Sequence, residues 1–152
     1  MIKNAVITKA QEEWEIGVES KSSLALYKLK KKPKVEDMYD GSWGSALLFA
    51  ARTGSLKTNL RTRFWNEGGS ICQFCELETD ESLLHMIVEC NGHMTERDQL
   101  MNSVVDRIGQ RGLELLMEDE QQGLGYLLGF LGEVDLTDLS KIYLKQIFKK
   151  RQ

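Results

Sequence analysis

All three cysteines of this chain lie in one short segment, together with one of its two histidines. Residues 71–90 read ICQFCELETDESLLHMIVEC, which sets four candidate metal ligands at the spacing C-x2-C-x9-H-x4-C. Zinc is bound by four sulfur or nitrogen donors in a tetrahedron, and a C-x2-C pair can direct two thiolates at one ion. The segment therefore predicts a zinc site whose ligands are Cys72, Cys75, His85 and Cys90.

The second pair of ligands is expected on a helix. Residues 80–90 have helical character, with Asp80 as the N-cap and an Asn-Gly pair just after Cys90 as the end. His85 and Cys90 are five residues apart, so the last turn must loosen before both can face one ion. Four protein ligands leave no position for water. The site is therefore predicted to be structural and to contribute about 10 kcal/mol or more to local folding.

Other interpretations of the same residues remain open. Cysteines can be small core residues without a ligand role, and a histidine on an apolar face is often a hydrogen-bonded core group. A redox-active C-x2-C pair would be expected inside a βαβ unit, which the sequence lacks. A catalytic Cys–His dyad would need a third group and an oxyanion donor, and none is evident. His93 is a spare donor that ranks below His85 and Cys90, because it lies past the Asn-Gly break.

The rest of the chain has the apolar periodicity of helices and no strong alternating strand pattern. Helices are predicted over residues 3–20, 45–65, 94–110 and 134–152, and one or two short helices within residues 112–132. In the second of these, the side chains expected to pack inward are Ala46, Leu47, Phe49 and Ala50. The only proline, Pro33, predicts a helix break. The predicted fold class is therefore mostly α, a small helical domain built around a CCHC zinc knuckle.

Charge is divided unevenly along the chain. Residues 1–63 carry 12 Lys and Arg against 7 Asp and Glu, whereas residues 64–152 carry 8 against 16. Three regions are predicted: a basic helical region (1–63), the zinc knuckle (64–93), and C-terminal helices (94–152) that form one compact unit with the knuckle. With a net charge of −3 and a pI of about 5.5, the chain as a whole is not a basic nucleic-acid binder.

A local positive surface is nevertheless predicted just upstream of the knuckle. Candidate contacts for RNA or DNA are Arg52, Lys57, Arg61, Arg63 and Trp65, which combine cationic side chains with an aromatic ring. The alternative is that these residues form an ordinary solvated helix surface. Because no transmembrane run or secretory signal is visible and three cysteines cannot all pair, we expect an intracellular protein of the nucleus or cytoplasm, without a membrane partner.

The middle of the chain resembles the C-terminal region of non-LTR retrotransposon reverse transcriptases, of the kind abundant in arthropods. The resemblance rests on the stretches LLFAARTGSLKTNLRTRFW, CQFC and DESLLHMIVEC. In that family an Arg-[Thr/Ala]-Gly segment precedes a zinc knuckle of the pattern C-x2-C…E-x3-H-x4-C, which an arginine follows. The matching residues here are Arg52, Thr53, Gly54, Cys72, Cys75, Glu81, His85, Cys90 and Arg97.

The resemblance implies an accessory domain that is not an enzyme on its own. Such proteins carry an endonuclease and a polymerase upstream, and this chain has no Tyr/Phe-x-Asp-Asp polymerase motif and no recognisable nuclease cluster. In the family, the knuckle region is taken to hold template RNA or target DNA during target-primed reverse transcription. The resemblance thus implies a structural Zn²⁺ on the four ligands and a role in assisting nucleic-acid binding.

Two other functions are kept open. The first is a protein-interaction or self-association scaffold of a domesticated element without nucleic-acid affinity. It is suggested by the acidic second part and by the apolar stretch GLGYLLGFLG, with Leu128 and Phe130, which could be a partner-facing patch as easily as part of the core. The second is a small enzyme that uses a cysteine and a histidine, which a tightly held metal ion without an exchangeable water would exclude.

Overall fold

The computed structural model describes residues 2–30 and 35–152, and helices account for its regular structure. The α-helices are α1 (Ile2–Glu19), α2 (Trp43–Arg52), α3 (Asn59–Thr62), α4 (Met94–Met117), α5 (Glu120–Leu127) and α6 (Thr137–Lys149). The other helical segments are the 3₁₀ helices Ser22–Leu29 and Asn91–His93 and the π-helix His85–Glu89. The described residues form no strand, although Ile71 and Asp80 make an isolated bridge. The predicted mostly α fold class is confirmed.

The hydrophobic core lies between α2, α4, α5 and α6. Helix α6 packs against both α2 and α4, and α5 packs against α4. The side chains at its centre have almost no exposed surface: Leu48, Leu124, Leu127, Tyr143, Leu144 and Ile147. The hydroxyl group of Tyr143 donates a hydrogen bond to the backbone oxygen of Ile87 at 3.1 Å, which ties α6 to the cysteine segment. Residues from the regions 1–63 and 94–152 therefore share one core.

Helix α2 buries a different face from the one predicted. Ser42 caps the helix by accepting a hydrogen bond from the N–H of Ser45. The predictions that Ala46 and Phe49 pack inward are wrong, since both side chains are exposed. The buried side chains of the helix are Ser45, Leu47, Leu48, Ala51 and Arg52. Because each helical residue is rotated by about 100° from the one before it, a face centred on position 48 leaves position 49 in solvent.

The turn after α2 depends on a glycine. Gly54 has a φ angle of +65°, in the left-handed region that other residues rarely adopt. A Cβ atom at this position would lie 2.6 Å from the backbone oxygen of Ser23, which is too close. The chain therefore turns at Gly54 directly against the 3₁₀ helix Ser22–Leu29.

The glycine-rich stretch GLGYLLGFLG, residues 123–132, contributes to the core. Leu124 and Leu127 belong to its centre, as noted above. Leu128 and Phe130 expose only 1% and 9% of their surface. Of the two alternatives for this stretch, the structure therefore shows the core, and Leu128 and Phe130 do not form a partner-facing patch.

Helix α1 is attached to the fold mainly by its C-terminal end. Val18 is buried there, and the helix packs chiefly against the 3₁₀ helix Ser22–Leu29. The helix break predicted at Pro33 lies outside the described residues. Across residues 2–30 and 35–152, no helix combines the length and the apolar character needed to cross a membrane.

Candidate metal centre and basic surface

The four predicted ligands come together in one cluster. The donor atoms of Cys72, Cys75, His85 and Cys90 all lie within 4.8 Å of one another. The Sγ atoms of Cys72 and Cys90 are 3.7 Å apart, and the Sγ atom of Cys75 lies 3.4 Å from Nε2 of His85. Cys75 is half-buried and the other three side chains are buried. The chain thus forms a Cys₃His cluster that could bind a metal ion.

The distance between the sulfurs of Cys72 and Cys90 and the distance between Cys75 and His85 fit a tetrahedral ion. Bond lengths of about 2.3 Å to sulfur and about 2.0–2.1 Å to nitrogen place two sulfurs about 3.8 Å apart, and a sulfur and a nitrogen about 3.5 Å apart, in an ideal tetrahedron. A disulfide would require a sulfur–sulfur distance of about 2.05 Å, so the three cysteines are free thiols. Both the donor set and the spacing suit a metal held entirely by protein side chains.

The first pair of ligands is positioned by a short closed loop. The N–H of Cys72 donates to the backbone oxygen of Thr79 at 2.9 Å, which closes the loop beside the bridge at Ile71. Within the loop, the N–H of Phe74 points at the Sγ atom of Cys72 at 3.4 Å. Gly92 lies directly under it, because a Cβ atom there would come within 1.9 Å of the Phe74 oxygen. Only glycine lets the chain after the cluster pass so close to the knuckle.

The second pair is positioned by the π-helix. In an α-helix, residues five apart point about 140° away from each other. Here the N–H of Cys90 instead donates to the oxygen of His85 at 2.7 Å, the i to i+5 bond that defines a π turn. The wider turn brings both side chains to one side, which matches the predicted loosening. The chain is already helical at residues 83–84, before the π-helix, and the side chain that caps this turn is not that of Asp80 but that of Ser82, whose Oγ atom accepts from the N–H of His85 at 3.0 Å.

Burial makes the thiols of Cys72 and Cys90 hard to ionise without a cation. Burial raises the pKa of Cys72, and it raises the pKa of Cys90 to about 12. Neighbouring thiols act in the same direction on Cys90, since two thiolates side by side repel each other. A divalent metal ion would supply the positive charge that the thiolate forms require.

His85 has a carboxylate on its far side. Its Nδ1 atom lies 3.3 Å from Oε2 of Glu89, while Nε2 faces Cys75. If Nδ1–H donates to Glu89, the lone pair of Nε2 is left for a metal. A carboxylate behind a ligand histidine commonly fixes the tautomer and the orientation of the ring in this way. Sequence reasoning did not assign a role to Glu89.

The spare histidine is separate from the cluster. His93 is fully buried, and its ring stacks at a tilt on Phe74 with a centroid distance of 5.2 Å. Neither ring nitrogen has a hydrogen-bond partner among the described residues. Burial lowers the pKa of His93 and therefore favours its neutral form. His93 is thus placed as a packing residue beneath the knuckle loop.

Glu81 fastens the knuckle to the end of α6 and is not a member of the cluster. This buried carboxylate accepts two hydrogen bonds from the guanidinium group of Arg151, at 2.6 and 3.0 Å. It also accepts one from the N–H of Asn59 at 2.9 Å. Arg151 in turn lies over the ring of Phe74 at 4.9 Å. The sequence suggested Glu81 through the family pattern, but nothing local pointed to Arg151.

Arg52 does not belong to the predicted nucleic-acid surface. Its side chain is fully buried, and its Nη2 atom donates to Oε1 of Glu36 at 2.6 Å. Nη1 donates to the hydroxyl oxygen of Tyr39 at 3.1 Å, and the guanidinium carbon lies 4.4 Å from the ring centroid of Phe130. An enclosed guanidinium group cannot reach a phosphate, so the assignment of Arg52 to this surface is wrong.

The other predicted contacts are exposed and adjoin one another. Lys57, Arg61, Arg63 and Trp65 all lie on the surface, and among the described residues the three cations take part in no ion pair. Arg61 and Arg63 each donate only to a backbone oxygen, of Gly54 and Leu60 respectively, at 2.8 Å. Their positive charges are therefore not neutralised by carboxylates.

Two clefts border this surface. A cleft of about 510 Å³ is lined by Arg61, Arg63 and Trp65 together with Phe64. An adjoining cleft of about 790 Å³ is lined by Lys57 and Trp65, with Trp43 and Arg151 at its wall. Sequence reasoning missed Phe64, Trp43 and Arg151 as members of this surface, since no spacing pattern links them to the basic residues.

Comparisons of the chain with protein-family models, with curated proteins and with solved structures find no match. The resemblance to the retrotransposon reverse transcriptases therefore rests on residues of the sequence alone.

Proposed function

We propose that this chain is a non-catalytic domain, fastened by one structural zinc ion, that assists the binding of RNA or DNA. Its ancestry would be the C-terminal region of a non-LTR retrotransposon reverse transcriptase. The ancestry is supported by the Arg-Thr-Gly segment and by the ligand spacing of the knuckle. The acidic total charge does not oppose the binding role, because phosphates respond to the local surface within about a Debye length, roughly 10 Å.

The choice of zinc is supported by the donor set. Three thiolates and one imidazole are soft or borderline donors, which suit zinc and exclude the hard ions calcium and magnesium. With four protein donors the coordination shell is closed, which is the mark of a structural rather than a catalytic site. The ion would hold the loop of Cys72 and Cys75 against the π-helix.

One observation carries the nucleic-acid role: three cations that form no ion pair within residues 2–30 and 35–152 adjoin exposed aromatic rings. Trp65 and Phe64 expose 81% and 78% of their surface, next to Lys57, Arg61 and Arg63. Unpaired cations supply the phosphate contacts of nucleic-acid binding, and aromatic rings supply stacking. An ordinary solvated surface would not account for two exposed aromatic rings beside these cations.

We expect salt-sensitive binding that depends on these three cations. The test is a fluorescence anisotropy titration with labelled single-stranded RNA and DNA at several salt concentrations. Replacing Lys57, Arg61 and Arg63 together by alanine should weaken binding and lower the slope of log K against log salt by about 2, since each phosphate contact on a single strand contributes about 0.7.

The control removes the same charge elsewhere. Lys3, Lys21 and Arg111 are also exposed and outside the ion pairs of the described residues, and they lie away from the two clefts. Their replacement by alanine should leave affinity close to that of the wild type. Equal losses in both triple variants, or no salt-sensitive binding by the wild type, would refute the proposed role.

A second candidate, self-association, is favoured by one observation on α1. Val6 and Ile7 expose 62% and 59% of their surface on the part of α1 that lies N-terminal to Val18. If this surface joins two copies, sedimentation of the wild type should show a concentration-dependent dimer that Ile7→Glu abolishes and Asn4→Glu retains. A monomer at all concentrations would exclude this function.

A further inference from the structure

Trp65 lines both clefts of the basic surface. It follows α3 closely, and its N–H donates to the backbone oxygen of Thr62 at 2.8 Å, which fixes the backbone. The ring stands edge-on to Phe64, with a centroid distance of 6.5 Å and an interplanar angle of 83°. Its exposed indole is part of the wall that the two clefts share, together with Leu56 and Thr62.

Both clefts next to Trp65 are lined by cationic and aromatic side chains. On one side stand Arg61 and Arg63, and the guanidinium carbon of Arg63 lies 4.6 Å from the ring centroid of Phe64. On the other side stand Lys57 and the second indole, that of Trp43, which is 40% exposed. Cations thus line both clefts that the exposed indole borders, so a chain of phosphates could run along it.

This arrangement discriminates between forms of nucleic acid. The faces of an unpaired base are free to stack on an aromatic ring, and each such contact contributes about 1–3 kcal/mol. Inside a duplex both faces of every base are covered by neighbouring bases, so apart from its two end pairs a duplex can offer the surface only its phosphates. Cations in both clefts favour a ligand with regularly spaced negative charges. Acidic or neutral peptides lack this regular spacing.

We infer that Trp65 is a stacking platform for unpaired bases and that this surface selects single-stranded nucleic acid over duplex. The inference rests on the proposed nucleic-acid function and gives it a substrate class. Trp43 provides a second ring within the same larger cleft, for a base further along the strand. The cations bind either form, whereas the ring binds only the single strand.

The test compares two probes and three variants. The probes are a fluorescein-labelled oligothymidylate and a blunt DNA duplex of equal length, titrated at one salt concentration. Trp65→Ala should weaken binding of the oligothymidylate by about 5- to 150-fold, the range that 1–3 kcal/mol implies, and leave duplex binding unchanged. Trp65→Phe should recover part of the loss, because the smaller ring still stacks.

Phe49→Ala is the matched control. Phe49 is an aromatic residue that is 51% exposed on α2 and lines neither cleft. Its removal should change neither affinity. A second measurement uses a Trp14→Phe, Trp43→Phe background, in which Trp65 is the only tryptophan. Its fluorescence should be quenched by the oligothymidylate and not by the duplex.

The outcomes separate the inference from the proposed function. If the wild type binds neither probe, the proposed function fails. If it binds both through Lys57, Arg61 and Arg63, but Trp65→Ala affects both probes equally or neither, the function stands and the inference is overturned. If both probes quench the fluorescence of Trp65 equally, the inference is overturned as well. This measurement does not depend on the stability of the Trp65→Ala variant.

Discussion

Replacing Cys75 by serine or His85 by alanine is expected to remove the bound metal ion and to unfold the segment around it. Each change takes one donor from a four-donor cluster and leaves buried thiols without the charge that a metal supplies. Binding of a structural zinc ion contributes about 10–16 kcal/mol to small zinc domains, which exceeds the stability of many entire domains. Both variants should therefore lose helical structure at a temperature where the wild type is folded.

Elemental analysis and thermal unfolding together measure this effect. The wild type should carry one zinc ion per chain and should lose its unfolding transition when a strong chelator is added. Cys75→Ser and His85→Ala should carry well under one ion per chain and should melt at a lower temperature than the wild type, as followed by circular dichroism.

His93→Phe serves as the matched control, because it alters a buried histidine that lies outside the cluster. The replacement keeps an aromatic ring against Phe74 and removes two ring nitrogens that have no partner among the described residues. It should retain one zinc ion per chain. A wild type that stays folded after the chelator has removed its metal would disprove the structural role of the ion, and a wild type that carries no zinc before chelation would disprove the metal centre. Loss of zinc from His93→Phe but not from His85→Ala would assign the fourth ligand to His93.

The metal cluster was predictable because its information is local. All four donors fall within 19 consecutive positions, from Cys72 to Cys90, and the chemistry of zinc restricts which residue types can serve. The need for a loosened turn before Cys90 also follows from helix geometry, because side chains five residues apart in an α-helix point to different sides. The structure meets that need with the π-helix His85–Glu89.

Contacts between distant parts of the chain were not predictable in the same way. The carboxylate of Glu81 and the guanidinium group of Arg151 are separated by 70 positions. No periodic pattern marks such a pair, because their meeting depends on how α6 packs against the rest of the core. The same holds for the clefts, where Trp43 joins Trp65 only through the tertiary fold.

Arg52 was assigned to the surface although the sequence contains a signal for its burial. Its positive charge just upstream of the knuckle suggested a nucleic-acid contact, although helix periodicity puts position 52 on the same face as Ser45 and Leu48. An error in choosing the buried face of α2 therefore became an error about Arg52. A charged residue at the centre of an apolar face is a signal for a buried ion pair, and its partner here is Glu36.

Arg52→Ala is accordingly expected to lower the free energy of unfolding by about 3–5 kcal/mol, the usual cost of removing one partner from a buried ion pair. The change leaves Glu36 with Lys30 alone and opens a hole beside Tyr39 and Phe130. Burial opposes ionisation of Glu36, but the hydrogen bonds from Lys30 and Arg52 outweigh it and lower the pKa of that carboxyl group. Urea denaturation of the zinc-loaded protein measures the loss.

Two comparisons establish that this loss comes from the core. Arg61→Ala removes an exposed arginine of the nucleic-acid surface and should change the free energy of unfolding by less than about 0.5 kcal/mol while it weakens binding. In a double-mutant cycle, Glu36→Gln and Arg52→Ala should not be additive, because each removes the same contact. If Arg52→Ala instead kept full stability and lost nucleic-acid affinity, the guanidinium group would have to lie on the surface. The buried face of α2 would then be wrong, because a helix cannot expose position 52 while it buries positions 45 and 48.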